Sequence, residues 1–153
     1  MSVTVRPLAA KDQARWRTLW DGYLTFYECP DLDPKTTDHT WDMLTDPRED
    51  VFGLVAERDG EVVGFVHGVV HANTWLVQPI CYLEDLFVDP AWRGQGTGRA
   101  LIEALVGRAK ASGWAQVYWR TAETNPARKL YDQVADKIDF VTYVRKVSGK
   151  SST

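Results

Sequence analysis

The stretch from Tyr82 to Arg108 constrains the fold of this chain most strongly, because it changes from strand to helix through a turn of glycines. It begins with the apolar run of a strand, which Asp89-Pro90 ends since proline has no N–H to donate to a sheet. From Leu101 onward, apolar residues recur at the spacing of one helix face, and Gly113 stands where a left-handed cap ends a helix. The pattern predicts a strand, a turn and a long helix.

The turn contains three alternating glycines, Gly94, Gly96 and Gly98, between Arg93 and Arg99. Glycine lets the backbone approach a ligand closely, and the start of a helix adds unpaired N–H groups and the positive end of its dipole. The turn is therefore predicted to bind a phosphate, whose charge the arginines would neutralise. A turn that merely connects strand to helix is the alternative, and it would need fewer glycines.

Two better-known phosphate loops do not fit this sequence. A dinucleotide fingerprint GxGxxG read from Gly94 has Arg99 at the position of its last glycine. A P-loop that ended at Gly149-Lys150-Ser151 would have Val144 at its leading glycine, and it would lie in a polar tail. Neither kind of nucleotide loop is indicated.

The segment Arg93-Gly94-Gln95-Gly96-Thr97-Gly98 matches the R/Q-x-x-G-x-G/A signature of the GNAT N-acetyltransferases, which also lies between a central strand and a long helix. The chain thus resembles this family over most of its length. Tyr82-Leu83-Glu84-Asp85, running into Arg93, is most similar to the spermidine/spermine acetyltransferases and related small-amine and histone-acetylating enzymes. The resemblance implies transfer of an acetyl group from acetyl-CoA to a primary amine. The expected acceptor is a polyamine-like or lysine-like molecule or a lysine side chain.

Acetyl transfer to an amine needs a base, because an alkylammonium has a pKa of about 10.4, and it needs a proton for the departing thiolate. The resemblance implies Glu84 as the base, acting directly or through water, and Tyr131 as the acid. Strand alternation predicts that Glu84 and Asp85 point to opposite faces, and Asp85 is expected to hold a substrate cation. The alternative for Glu84 and Asp85 is an exposed or ion-paired acid pair near a strand end. The alternative for Tyr131 is a residue of the core.

The resemblance also implies a set of ligand contacts. The expected cofactor contacts are Leu86, Phe87, Val88, Arg93, Gly94, Gln95, Gly96, Thr97, Gly98, Arg99, Asn125 and Lys129. The expected substrate contacts are Tyr23, Tyr27, Glu28, Asp85 and Trp119, although an aromatic helix face also suits a core. A non-catalytic acyl-CoA-binding sensor is the alternative function, and the presence of both Glu84 and Tyr131 favours the enzyme.

The order of predicted elements, β-α-α-β-β-β-α-β-α-β, indicates a mixed α/β fold with helices on both faces of the sheet. The resemblance adds that the central sheet is mostly antiparallel and that the strands carrying Glu84 and Trp119 splay apart around the cofactor. We expect one domain over residues 1–147 and a disordered tail over 148–153. The family commonly has a glycine-aromatic pair before its final strands, whereas residues 134–140 contain no glycine. The geometry of that connection stays open.

Several element boundaries follow from local signals. Asp38 is predicted to cap a second helix that runs through Leu44. Residues 115–121 are β-prone, and Asn125-Pro126 is predicted to cap and open the last helix, with proline at its first position. Residues 140–147 are predicted to form the last strand.

Composition places the chain among soluble proteins, with 44% apolar and 25% charged residues. It contains neither a long apolar run nor a secretion signal, so a cytoplasmic protein without a membrane span is expected. Two cysteines and three histidines form no recognised ligand spacing, and no metal is expected. A homodimer is a further expectation, since many members of the family dimerise.

The net charge of −3 conceals an asymmetry. Residues 28–50 contain eight acids against Lys35 and Arg48, and residues 93–129 contain seven bases against Glu103 and Glu123. The basic part is predicted to attract a polyphosphate, and the acidic part a substrate with a second positive charge. Ordinary solvated surface is the alternative for both. A nucleic-acid partner is disfavoured, because the basic cluster is modest and coincides with the predicted phosphate site.

Overall fold

The computed structural model describes residues 2–148. Within this part of the chain, five strands and four α-helices are formed. The strands are β1 (Thr4–Pro7), β2 (Val51–Arg58), β3 (Glu61–His71), β4 (Ile80–Val88) and β5 (Val117–Tyr118). The α-helices are α1 (Gln13–Phe26), α2 (Pro34–Thr45), α3 (Thr97–Ser112) and α4 (Arg128–Val134), and short 3-10 helices cover Ala10–Asp12 and Pro90–Trp92.

The five strands form one sheet in the order β1-β2-β3-β4-β5. The first three pairings are antiparallel and the last, between β4 and β5, is parallel. Asp59 and Gly60 both have positive φ, 54° and 77°, as a tight two-residue hairpin between β2 and β3 requires. The predicted fold class, a mixed and mostly antiparallel sheet with helices, is confirmed.

Helices cover both faces of the sheet. Phe65 of β3 packs against the rings of Trp20 and Tyr23 on α1. Its neighbour Gly64 faces the opposite side, where Leu101 of α3 lies against it. A core of buried apolar residues lies between the sheet and the first two helices. It includes Trp16, Leu19, Trp20 and Leu24 of α1, and Tyr23 packs against it.

The parallel pairing of β4 with β5 is short. Only Cys81 with Val117 and Tyr82 with Tyr118 are paired, whereas β4 continues to Val88. Beyond Tyr82 the two strands therefore separate, which is the predicted splay. Residues 115–121 were predicted to be a longer strand, and the structure shortens it because strand conformation ends where the backbone loses its ladder partner.

Two predicted elements differ in the structure. Helix α2 begins earlier than predicted, because the Asp33 side chain accepts a hydrogen bond from Lys35 N and Pro34 occupies the first position. Asp38 consequently lies inside the helix. The predicted last strand, residues 140–147, is wrong: among the described residues it pairs with no strand, and Phe140 is 83% exposed.

The chain divides into two compact units, residues 1–120 and residues 121–153. The first contains the sheet and α1 to α3. The second contains α4, and beyond Val134 its described residues have no regular secondary structure. The predicted single domain over residues 1–147 stays a prediction, and the tail predicted from 148 lies outside the described residues except for Ser148. No helix in residues 2–148 is long and apolar enough to cross a membrane.

Candidate active site

A β-bulge in β4 shapes the predicted catalytic region. Asp85 is opposite His67 and Leu83 is opposite Gly68, so Glu84 is an extra residue that has no partner in β3. The alternation that predicted opposite faces for Glu84 and Asp85 is broken there. Both carboxylates act electrostatically on Tyr23 of α1, and Asp85 bonds to it directly. At this bulge, both adjacent acids are therefore close enough to Tyr23 for their charges to act on its phenol.

Asp85 is held in a network of side chains from three elements. Tyr23 on α1 donates its hydroxyl hydrogen to Asp85 Oδ1 at 2.6 Å. His67 Nδ1 on β3 lies 2.8 Å from Asp85 Oδ2. Trp16 on α1 donates from Nε1 to His67 Nε2 at 3.0 Å. Both oxygens of the predicted cation-binding residue are thus engaged within the protein.

The hydrogen bonds define the protonation of His67. An indole N–H can only donate, so His67 Nε2 must accept and cannot carry a proton. The remaining nitrogen, Nδ1, therefore carries the hydrogen and donates it to Asp85. His67 is 2% exposed, and a neutral ring suits that burial. The two oxygens of Asp85 therefore act as acceptors, Oδ2 from His67 and Oδ1 from Tyr23.

Glu84 differs from its neighbour because its side chain is exposed. The surrounding protein still partly desolvates its carboxylate, and this burial, together with the charge of Asp85, raises the pKa of Glu84 above its usual range. A raised pKa makes a carboxylate a stronger base, as proton abstraction requires. Burial first and Asp85 second raise the pKa of Tyr23 and of Tyr27, so both phenols stay protonated.

The glycine turn has the geometry of an anion site. Gly94 and Gly96 adopt left-handed φ of 77° and 80°, and a Cβ at either position would meet no atom within 4 Å, so the backbone is open to a ligand. Gly96 caps α3, whose first helical bond runs from Ala100 N to Gly96 O. The preceding amides of the first turn therefore have no intrahelical acceptor and can bind the diphosphate of CoA.

Arg58, at the end of β2, holds the turn in place. It donates from Nη2 to Gln95 O at 2.7 Å and from Nε to Thr97 Oγ1 at 3.1 Å, and it is only 6% exposed. The side chain of Thr97 is buried against Arg58. The cofactor contact predicted for Thr97 would therefore be made by its backbone. Sequence reasoning missed Arg58, although a charged residue that ends an apolar strand next to Asp59-Gly60 was the signal available.

Arg93 lies on the other side of the turn. It donates from Nε to Val88 O at 3.0 Å, and its guanidinium lies 5.3 Å from the ring of Phe87 and 5.8 Å from that of Phe26. Arg93 and Phe87 line a cavity of about 450 Å³ together with residues of α1, including Phe26. Phe87, predicted as a cofactor contact, is largely a core residue. A second cavity, of about 480 Å³, is lined by Leu8, Phe52, Arg108 and other residues outside the predicted site.

The remaining predicted residues lie in different places. Tyr27 packs against Tyr23, with 4.8 Å between ring centroids, and both are close enough to Asp85 to be affected by its charge. Glu28 follows with φ of 58° and is exposed, and Trp119 follows β5 and is half-buried. Leu86 and Val88 complete β4, and Arg99 is exposed in the first turn of α3.

Cys81, the cysteine on the strand that carries Glu84, is unsuited to act as a nucleophile. Cys81 is fully buried at the start of β4, and burial raises the pKa of its thiol to about 11. A thiol that stays protonated at neutral pH is a poor nucleophile. This favours direct attack by the acceptor amine over an acetylated cysteine.

Three predicted site residues belong to the second unit. Asn125 Oδ1 accepts from Ala127 N at 2.9 Å, as predicted for a residue that begins a helix, but the regular helix begins at Arg128. Lys129 is exposed and Tyr131 is half-buried, both on α4. Their roles toward the cofactor and the acetyl group stay predictions.

Residues 16–135 match the acetyltransferase (GNAT) family. The D-amino-acid N-acetyltransferase HPA3 of Saccharomyces cerevisiae is 34% identical over 146 residues, which cover 94% of this chain and 90% of that protein. The L-2,4-diaminobutyric acid acetyltransferase of Virgibacillus pantothenticus is 30% identical over 87 residues, 56% of this chain and 53% of that protein.

A solved structure shares the fold. The aminoglycoside N-acetyltransferase AAC(6')-Iy, in complex with CoA, superposes with a TM-score of 0.76 at 20% identity, covering 95% of each chain. The chain belongs to the GNAT acetyltransferase family. It is an N-acetyltransferase that acts on amines and uses acetyl-CoA.

Proposed function

We propose that this enzyme acetylates a small primary amine by direct attack on acetyl-CoA, with Glu84 as the base and Tyr131 as the acid. The observation that carries the proposal is the position of Glu84. It is an exposed carboxylate with a raised pKa, in a bulge of the strand that leads into the glycine turn. Acetyl-CoA supplies the activated acetyl group, and the turn holds its diphosphate.

Glu84 takes a proton from the acceptor ammonium, either directly or through a water molecule. Asp85 is unsuited to this role, because both its oxygens already accept hydrogen bonds. Its charge instead makes Glu84 more basic. Tyr131 donates a proton to the departing sulfur, an assignment that rests on resemblance to the family and on its place six residues after Asn125.

The acceptor we favour is a lysine-like diamino acid. One similar protein is named for D-amino acids and another for diaminobutyric acid, and both kinds of substrate carry a carboxylate beside an amine. A polyamine-like acceptor is the second candidate. The acidic stretch of residues 28–50 favours it, because that stretch would attract any second cation.

An acceptor panel tests the proposal. Thiol release from acetyl-CoA is followed with diamino acids of both configurations, a polyamine, a monoamine and a protein lysine substrate, and mass spectrometry identifies the acetylated nitrogen. We expect acceptor-dependent thiol release that matches product formation on a primary amine. CoA binding without transfer to any amine would instead support the acyl-CoA sensor.

A further inference from the structure

Arg120 lies two residues beyond β5, at the point where β5 separates from β4. Its Nε donates to the hydroxyl of Tyr82 at 3.1 Å, and its guanidinium lies 5.6 Å from the centre of the Tyr82 ring. The residue is exposed. The tyrosine therefore orients the guanidinium through Nε, while the residue stays accessible to a ligand.

Tyr82 is itself held in place by aromatic neighbours. Its ring lies 5.0 Å from that of Tyr118, and the Tyr118 hydroxyl bonds to His71 Nε2 at 2.8 Å. His71 Nδ1 is fixed by a 2.8 Å hydrogen bond to Ala72 O. A guanidinium on such a support loses little side-chain freedom when it binds a ligand, which favours affinity.

The charge of Arg120 has no carboxylate partner in the described part of the chain. Four other arginines, Arg6, Arg15, Arg17 and Arg48, each lie within 3.3 Å of a carboxylate oxygen. Arg120 instead acts on Glu84 only through the electrostatic field. An oriented guanidinium near a base is suited to a ligand that carries a carboxylate next to the reacting amine, because its fork of donors matches a carboxylate.

We propose that Arg120, supported by Tyr82, binds the carboxylate of an amino-acid acceptor and makes the enzyme selective for free amino acids over their amides. This inference rests on the proposed function, in which Glu84 takes the proton from the acceptor amine. This role of Arg120 distinguishes diamino acids from polyamines, because a polyamine has no carboxylate for Arg120 to bind. Arg120 is a specificity-determining residue in this scheme, and Tyr82 is a positioning residue.

The test compares matched acceptors, a diamino acid and its carboxamide, which differ in charge but hardly in size. We expect the parent enzyme to prefer the free acid in kcat/KM. In Arg120→Gln the ratio of the two kcat/KM values should fall by about 10- to 100-fold, the usual range for losing hydrogen bonds to a charged group. Most of the change should be in KM for the acid. Arg120→Lys should give an intermediate ratio, and Tyr82→Phe a smaller fall.

Arg48→Gln is the matched control, since Arg48 is an exposed arginine paired with Asp46. The ratio of kcat/KM for the acid to kcat/KM for the amide should be the same in this variant as in the parent. Thermal unfolding and calorimetric titration with CoA verify that the Arg120 variants are folded. Equal losses for acid and amide, or a parent enzyme that does not prefer the acid, would overturn the assignment while leaving the acetyltransferase proposal intact. Failure of the parent to acetylate any amine would instead overturn the proposed function.

Discussion

Glu84 and Asp85 are adjacent in sequence, yet their surroundings give the two carboxylates different roles. Asp85 is fixed by hydrogen bonds from Tyr23 and His67, and Trp16 in turn orients the His67 ring. Glu84 is exposed and has the raised pKa. In the proposed mechanism, Asp85 therefore contributes a charge held in place by its neighbours, and Glu84 exchanges a proton with the acceptor.

The fixed charge of Asp85 can be removed with little change in shape. In Asp85→Asn, the amide oxygen can still accept from His67 and the amide nitrogen can donate to Tyr23. The pKa of Glu84 should fall, since the nearest negative charge is lost while Tyr23, His67 and Arg120 remain. A base must be deprotonated to act, so the acidic limb of the kcat/KM profile should move to lower pH.

The profile is measured from about pH 5 to about pH 9, where the limb of a base with raised pKa is accessible. Asp42→Asn, a neutralised exposed acid on α2, should leave the limb in place. Glu84→Gln should lower kcat by about 10²-fold or more, the usual range for one acid/base group. An unmoved limb in Asp85→Asn would mean that Asp85 does not tune the base.

Tyr131 is tested by removing its hydroxyl alone. Tyr131→Phe keeps the ring and its packing, so CoA should bind as before while turnover falls by about 10²-fold or more. Calorimetric titration with CoA and steady-state kinetics at saturating acceptor give the two values. Equal turnover in the variant and the parent would return Tyr131 to the role of a packing residue.

At the scale of elements, the glycine turn and α3 form the part of the site that sequence predicts best. Left-handed glycines and a helix start are local features, so Gly94, Gly96 and the cap at Gly113 were predictable from residue type alone. The hydrogen bonds of Arg58 to Gln95 and Thr97 were not predictable in this way, because they join residues 37 and 39 positions apart in the sequence. Tertiary contacts therefore hold the turn in place, whereas its shape follows from the local sequence.

The turn should tolerate no acidic side chain. Gly96→Asp would place a negative charge against the bound diphosphate, and CoA affinity should fall by at least about 10-fold. Gly113→Asp is the matched control, since Gly113 caps the other end of α3 with φ of 77° and is also open around its Cβ position. Both variants carry similar backbone strain, so calorimetric titration with CoA isolates the effect of charge. Equal affinities in the two variants would argue against a diphosphate at the turn.

Where sequence prediction failed, the deciding interactions join distant residues. Periodicity cannot show the bulge at Glu84, because it is defined by the register of β3 against β4. Residues 140–147 are rich in β-branched and aromatic residues, but β-propensity forms no strand without a neighbour to pair with. The error at the start of helix α2 has a local cause instead. Asp33-Pro34 is a recognisable start of a helix in the sequence, but we assigned the cap to Asp38. The homodimer and the cytoplasmic location stay predictions.

At the scale of the whole molecule, the charge asymmetry is only partly neutralised within the fold. In the acidic stretch of residues 28–50, Asp38 pairs with Arg17 and Asp46 with Arg48. Glu28 remains exposed directly after Tyr27, whose phenol is affected by the charge of Asp85. Acidic groups thus lie near the region from which an acceptor amine would approach Glu84.

This arrangement predicts a salt effect on the acceptor and not on the chemistry. The KM of a diamino acid should rise between about 20 mM and about 150 mM salt, because ions screen attraction between partly solvated charges, whereas kcat should hardly change. The KM of a monoamino acid of equal length should rise less, since it lacks the second cation. Steady-state kinetics at both salt concentrations measure the rise in KM with salt, called the salt slope, for each acceptor.

Glu28→Gln should reduce the salt slope of KM for the diamino acid. Glu103→Gln, which removes an exposed acid from α3, serves as its control. A neutral or acidic acceptor that outcompetes every dication at both salt concentrations would contradict the prediction. The acidic stretch would then be ordinary solvated surface, and recognition of the acceptor would depend on Arg120 and Glu84 alone. Because Arg120 and the acidic groups contact opposite ends of a diamino acid, their contributions should be additive, and the double variant Arg120→Gln/Glu28→Gln measures this directly.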